Sequence, residues 1–341
     1  MGLILTETFE LIDSPSKSNI AQLGWANGVL TNLSFQDGPF PNSRAIQHNS
    51  HTSGTELVKS FNSTGPDFYF ALYIYVLGAG NWTTSAGDSI RIQDNGVTQL
   101  MVRPVNDGTI QLRRGPTTVI ETSTETFNPN QWNRIEVYGT IGSSGWCRVD
   151  VNGINFIDFS GNTQNTSNPT FNELYFGYTT GSSGANKRFT WFVAKDDNEP
   201  LGEYRLTTIH PNGDGDVSNF VPDSGQNWER VNDETIDGDT SYVQSSAIGT
   251  TDLYTFPSVA SKASEIKGIF IRTFAAQQDI STLKLQHKTK INNTEYEVGS
   301  EELIGTKEYV PLETGLSLNP DTSAAWSPSD IGNLQSGFEI K

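Results

Sequence analysis

Asn133-Arg134-Ile135-Glu136-Val137-Tyr138-Gly139-Thr140-Ile141, then Gly142-Ser143-Ser144-Gly145, then Trp146-Cys147-Arg148-Val149-Asp150-Val151, then Asn152-Gly153 before Ile154 to Phe159: this stretch reads as three strands and two turns. Ile135 and Val137 fall on one face of the first strand, Arg134 and Glu136 on the other. That period of two marks a half-buried strand. Asn-Gly between two alternating runs signals a two-residue hairpin, because both turn residues must take positive φ. Cys147 alternates with outward polar residues and reads as a small buried hydrophobe. It is the one cysteine, so no internal disulfide can form.

The same signals recur outward from this stretch. Phe68 to Val76 is a long aromatic and β-branched run, expected to be a central strand. Thr98 to Arg103 and Thr109 to Arg114 flank Asn106-Asp107-Gly108, and Glu173 to Tyr178 and Arg188 to Ala194 close the region. With 32 Gly, 18 Phe, 11 Tyr and 2 Met in 341 residues, the composition suits short strands joined by polar turns. The expected fold class is all-β: an N-terminal two-sheet jelly-roll sandwich followed by a smaller C-terminal β domain. From Asp196 to Asp239 acidic residues crowd and apolar runs thin out, which places the boundary near Pro200, with domains over 1–198 and 199–341. Strands are expected there at Ser241–Val243, Asp252–Phe256, Glu265–Ala275, Thr282–Thr289, Thr294–Val298 and Lys307–Pro311. A helical turn at Ser329–Asn333 then leads into a last strand, Gln335–Ile340.

Net charge is −17, from 39 acidic and 22 basic residues, and no Lys/Arg cluster forms a track for a nucleic-acid backbone. Nucleic acid is therefore not an expected partner. The opening MGLILTETFE lacks a basic region and a cleavage pattern, so synthesis and folding in a cytoplasm are expected. The longest apolar run, Phe68 to Leu77, is about half of what a membrane helix needs, so membrane insertion is not expected.

Two stretches carry a resemblance. Asn130-Gln-Trp132-Asn-Arg134-Ile135-Glu136-Val137 with Val149-Asp-Val151-Asn152-Gly153 resembles the core of concanavalin A-like, laminin-G-type jelly rolls, over roughly the first 195 residues. The second begins at Leu201-Gly202-Glu203-Tyr204-Arg205 and runs through His210-Pro211-Asn212-Gly213-Asp214-Gly215. It continues with Asp237 to Val243, Asp252-Leu253-Tyr254, Asn319-Pro320-Asp321 and Ala325-Trp326-Ser327. This order is similar to bacteriophage and prophage virion proteins that begin with a laminin-G-like domain. One departure is the pair Asp196-Asp197, which follows Trp191-Phe192-Val193-Ala194 where that pattern puts paired Asp before the strand. The resemblance implies a non-catalytic virion structural protein, a surface tail component with host-glycan adhesion, located in the virion among other virion proteins. The alternatives are a capsid decoration protein and a glycan hydrolase of the jelly-roll class.

Catalysis has few footholds in the sequence. Retaining hydrolases resembling this fold carry Glu-x-Asp-x-x-Glu on one strand; here Glu136 is the lone carboxylate of its strand and reads as an outward polar position. The chain is expected not to be an enzyme and to need no cofactor. A Ca²⁺ ion is the one candidate, because Asn212, Asp214 and Asp216 offer oxygen ligands at alternate positions between glycines. The closing Glu is missing, and Gly213 and Gly215 equally mark a tight turn. The histidines His48, His51, His210 and His287 form no zinc pattern. For a cell-surface glycan, Trp82 in Gly80-Asn81-Trp82-Thr83-Thr84 is the loop-borne aromatic candidate, with Trp25, Phe35 and Tyr75 near similar loops. Trp132 and Trp191 are expected in the core. A homo-oligomer, a trimer by choice, is expected to cover the strand edge Glu265–Ala275. Its contacts would run from Lys284, His287, Lys288 and Lys290 to a neighbour's Asp233–Asp239 loop.

Overall fold

The computed structural model describes residues 2–27, 33–48, 55–61, 63, 65–77, 89–105, 107–178, 187–259, 261–278 and 283–341. It is all-β, and it divides into compact units over 3–205 and 206–341. Residues 199–205, assigned from sequence to the second domain, pack with the first unit.

The first unit is a two-sheet sandwich. One sheet runs β13 (Ile154–Gly161), β12 (Gly145–Val151), β11 (Trp132–Thr140), β6 (Asp67–Val76), β15 (Lys187–Lys195), β4 (Arg44–His48) and β3 (Leu33–Asp37), and β1 (Leu3–Glu7) also pairs with β15. The other runs β10 (Thr118–Thr122), β9 (Ile110–Arg114), β8 (Val97–Pro104), β7 (Ser89–Asp94), β14 (Glu173–Tyr178), β5 (Thr55–Ser60) and β2 (Trp25–Asn27). The central strand expected at Phe68–Val76 is indeed internal, between β11 and β15. Asn152 and Gly153 sit at φ 53° and 81°, closing the hairpin in the left-handed region as that turn requires.

Inside the sandwich, Phe176 of β14 meets Phe189 of β15 at 4.4 Å and Phe192 at 5.5 Å. Trp25, Phe9 and Phe192 extend the same aromatic core, each fully buried. Burial of side chains this large contributes about 2–3 kcal/mol apiece. Cys147 on β12 is fully buried as well, and burial pushes its thiol up, which makes it inert.

The second unit holds a five-stranded sheet, β16 (Gly213–Ser218), β19 (Thr251–Thr255), β25 (Gln335–Ile340), β21 (Lys284–Ile291) and β22 (Thr294–Leu303). A three-stranded sheet, β23 (Gly305–Thr306), β20 (Ile269–Gln277) and β24 (Val310–Leu316), accompanies it. The helix α2 (Pro328–Asn333) is capped by Ser327 and Asp330. Two polar residues organise this unit. Asp252, fully buried, accepts from Asn219 N, Phe220 N, Asn227 Nδ2 and Tyr254 Oη at 2.6–2.9 Å. His287 of β21 joins the two sheets, its ring nitrogens 2.8 Å from Thr314 Oγ1 on β24 and 3.0 Å from Thr273 Oγ1 on β20.

β20 pairs with β24 along Ile269–Ala275 and with β23 only at Ala276 and Gln277, so among the described residues one edge of the run expected at Glu265–Ala275 carries no strand. The lysines expected to reach a neighbour are engaged at home: Lys284 with Glu301, Lys288 with Glu295 and Glu339, and Lys290 with Asp216.

Candidate functional site

The outer face of the eight-stranded sheet departs most from an ordinary solvated surface. Register sets Arg134 beside Tyr73, Glu136 beside Ala71, and Tyr138 beside Tyr69, across β11 and β6. On the other side of β11, Glu136 is paired with Asp150 and Tyr138 with Arg148 of β12. Directly opposed residues share a face of the sheet. Tyrosines, arginines and carboxylates therefore stand together in the middle of this one.

Glu136 is the hub. Its Oε1 accepts from Tyr69 Oη and Gly202 N, each at 3.0 Å, and its Oε2 from Arg134 Nε at 3.0 Å and Nη2 at 2.9 Å. It is only 2% exposed, so the sequence reading of a solvated outward position is corrected: the direction is right, the environment is not. Next to it Asp150 is half-buried, accepting from Tyr138 Oη at 2.8 Å and Asn155 Nδ2 at 2.9 Å. The hydroxyls are proton donors throughout. Burial pushes Tyr69 far up, with Tyr204 and Glu136 adding to the effect, and burial with Asp150 raises Tyr138 to about 12. Burial raises Tyr73 as well, against the opposing pull of Arg134.

A strap over 198–205 covers this cluster. Asn198 donates to Asp67 Oδ1 at 3.1 Å, Gly202 donates to Glu136, and the Tyr204 hydroxyl donates to the Trp191 carbonyl at 2.6 Å. Trp191 lies beneath the strap at a bulge of β15, with φ 56°, an unusual conformation for a bulky side chain. Its ring stacks on Phe40 at 4.5 Å and meets Tyr73 edge-on, so it is buried on the outer face rather than in the sandwich core. The Trp191 Nε1 is buried and holds no hydrogen bond among the described residues. Strained backbone and an orphan donor at one residue point to a site shaped for something other than stability.

Beyond the strap's reach the face stays half open. Trp132, Tyr75, Arg188 and Gln47 form one register row across β11, β6, β15 and β4. Trp132 and Tyr75 meet edge-on at 5.6 Å, the Arg188 guanidinium lies 5.1 Å from the Tyr75 ring centre, and its Nε donates to Gln47 Oε1 at 2.8 Å. Trp132 is thus half-buried on the outer face, which corrects its placement in the core.

The other expected residues do not gather. Trp82 lies outside the described residues, as does His51. Asn212, Asp214 and Asp216 belong to the start of β16 or its approach, a strand and not a loop. Asp214 accepts from Trp228 N, Asp216 holds Lys290, and Thr255 Oγ1 donates to Asn212 Oδ1 at 3.3 Å. Gly215 is a close-packing glycine: a Cβ there would lie 2.7 Å from the Leu253 carbonyl oxygen. Among the described residues no three His, Cys, Asp or Glu side chains converge to hold a metal ion. No described helix is long and apolar enough to cross a membrane.

No protein-family model and no curated protein matches the chain. Among solved structures it is similar to a mutant of the alginate lyase Aly36B in complex with alginate tetrasaccharide, at 11% identity and TM-score 0.42 over 58% of this chain and 97% of that one. A second is an endo-β-1,4-glucuronan lyase from the fungus Trichoderma reesei, at 10% identity and TM-score 0.39 over 56% and 94%. A third is the cellulose induced protein Cip1, at 13% identity and TM-score 0.42 over 58% and 100%. The shared feature is the β-sandwich jelly roll. Two of these are named as an alginate lyase and a glucuronan lyase and none of the three as a virion protein, so they give no support to the expectations of a non-catalytic virion part and of a chain that is not an enzyme, and neither expectation is carried forward.

Proposed function

We propose that the first unit is a glycan-processing jelly roll, which binds a saccharide along the outer face of the eight-stranded sheet and hydrolyses it there. The observation that carries this reading is the cross-strand pair Glu136 and Asp150, set among tyrosines and arginines on one sheet face. The Cβ atoms of such direct neighbours lie about 5 Å apart, so the two carboxylates share one short stretch of the sheet face. Hydrolysis is favoured over elimination by a tyrosine base, because the raised tyrosines of the face keep their protons. Half-exposed Asp150 passes a proton to the glycosidic oxygen as its bond to the anomeric carbon breaks, and takes one from the water that adds to that carbon. Glu136, fixed by Arg134, faces the positive charge that develops at the anomeric carbon. The strap lifts for a sugar to reach Glu136.

The test is a panel of neutral and acidic polysaccharides, scored for new reducing ends and, separately, for the ultraviolet absorbance of unsaturated products. New reducing ends without that absorbance, lost in both Glu136→Gln and Asp150→Asn, are expected. Turnover that survives both substitutions would move the site elsewhere, and unsaturated products would replace hydrolysis by elimination.

A further inference from the structure

We infer that the row Trp132–Tyr75–Arg188–Gln47 is a subsite for a carboxylate-bearing sugar, an inference that rests on the glycan reading above. Successive strands are spaced about 4.8 Å apart, so four residues in register extend about 14 Å across the sheet. That length suits a short run of sugar rings laid perpendicular to the strands. Trp132 and Tyr75 supply aromatic surface for the apolar faces of the rings, and both are half-buried, so part of each ring is open.

The charge comes from Arg188. The chain carries 39 acidic residues against 22 basic ones, and two other arginines of this sheet are neutralised, Arg134 by Glu136 and Arg148 by Asp158, while Arg44 donates to the Ile12 carbonyl. Arg188 is half-buried yet forms no ion pair among the described residues. Its Nε is spent on Gln47 and its plane is held near Tyr75, which leaves both terminal nitrogens free of described partners. A guanidinium fixed by one nitrogen, with its outer edge unsatisfied, matches the planar two-oxygen edge of a carboxylate. Gln47, one strand further along, fixes the fork's orientation. A neutral sugar would leave that edge unpaired and gain only the stacking.

The discriminating probe is polygalacturonate beside the same polymer with its carboxyl groups reduced to alcohols, each titrated against the intact chain and against Arg188→Gln and Trp132→Ala. Circular dichroism confirms that each variant is folded. Polygalacturonate is expected to bind more tightly than the reduced polymer, and Arg188→Gln should weaken it about tenfold or more while leaving the reduced polymer unchanged. Trp132→Ala should weaken both. Equal binding of the two polymers, untouched by Arg188→Gln, would overturn the subsite and leave the glycan reading standing. An equal loss of both polymers in Arg188→Gln would also overturn it, making that residue a packing element. Binding of neither polymer, nor of any neutral polysaccharide, would remove the glycan reading itself.

Discussion

Glu136 and Asp150 stand directly opposite each other across β11 and β12, yet their surroundings differ. Glu136 is sealed against Arg134, and Asp150 is half open to water. Glu136→Ala strands a buried guanidinium and should cost about 3 kcal/mol. Asp150→Ala removes two hydrogen bonds at a wetter position and should cost about 1 kcal/mol. Urea unfolding of the two variants measures the difference, and equal losses would show that Arg134 finds another partner.

The strap gives a fragment test. A chain ending at 205 keeps Gly202 and Tyr204 on the sheet face, and one ending at 198 does not. The longer fragment should melt higher, and the shorter should show red-shifted tryptophan fluorescence as Trp191 meets water. Identical melting would mean that the strap adds no net stability.

His287 predicts a pH dependence. Burial lowers its imidazole to about 4, with Glu313 pulling the other way, against about 6.5 when unfolded. As pH falls below 6.5 the unfolded chain takes up the proton first. Stability from this group is therefore complete above about 6.5 and lost as pH drops towards 4, by about 3 kcal/mol over the interval. The chain's urea midpoint should fall more steeply across this window than that of His287→Gln; parallel curves would assign the acid sensitivity to carboxylates.

Asp252 is surrounded only by donors. Asp252→Asn turns one acceptor into an NH₂ group facing N–H or O–H partners, and should cost at least about 3 kcal/mol. Calorimetry on the whole chain should show the transition of the second unit falling while that of the first stays in place.

Much of this architecture was legible in the sequence, for a local reason. Strand alternation and Asn-Gly turns are set by neighbouring residues, so Trp146–Val151, Ile154–Phe159 and Gln335–Ile340 lie where their patterns put them. The hairpin β11–β12 even implied the partner of Glu136, since folding it about Gly142–Gly145 pairs position 136 with 150. A search along one strand missed that, because the second carboxylate lies on the next. Gly213 and Gly215 misled for a related reason: glycine lets two backbones approach as readily as it lets one backbone turn, and only the partner strand tells these apart. The burial of Glu136 was hidden too, and so was the outer face on which Trp191 is buried, since both depend on a strap that approaches from 198–205.

That strap also sets how a ligand would be felt. Gly202 already gives Glu136 an amide hydrogen bond, and Tyr204 already shields Trp191 and Tyr73, so the intact chain carries its own competitor for the centre of the face. Any affinity measured there is the intrinsic one scaled by the fraction of molecules with the strap lifted. Loosening Tyr204 would raise that fraction and tighten binding without adding a single contact to the sugar. At the Arg188 row, where no such competitor sits among the described residues, the same substitution would leave affinity as it was.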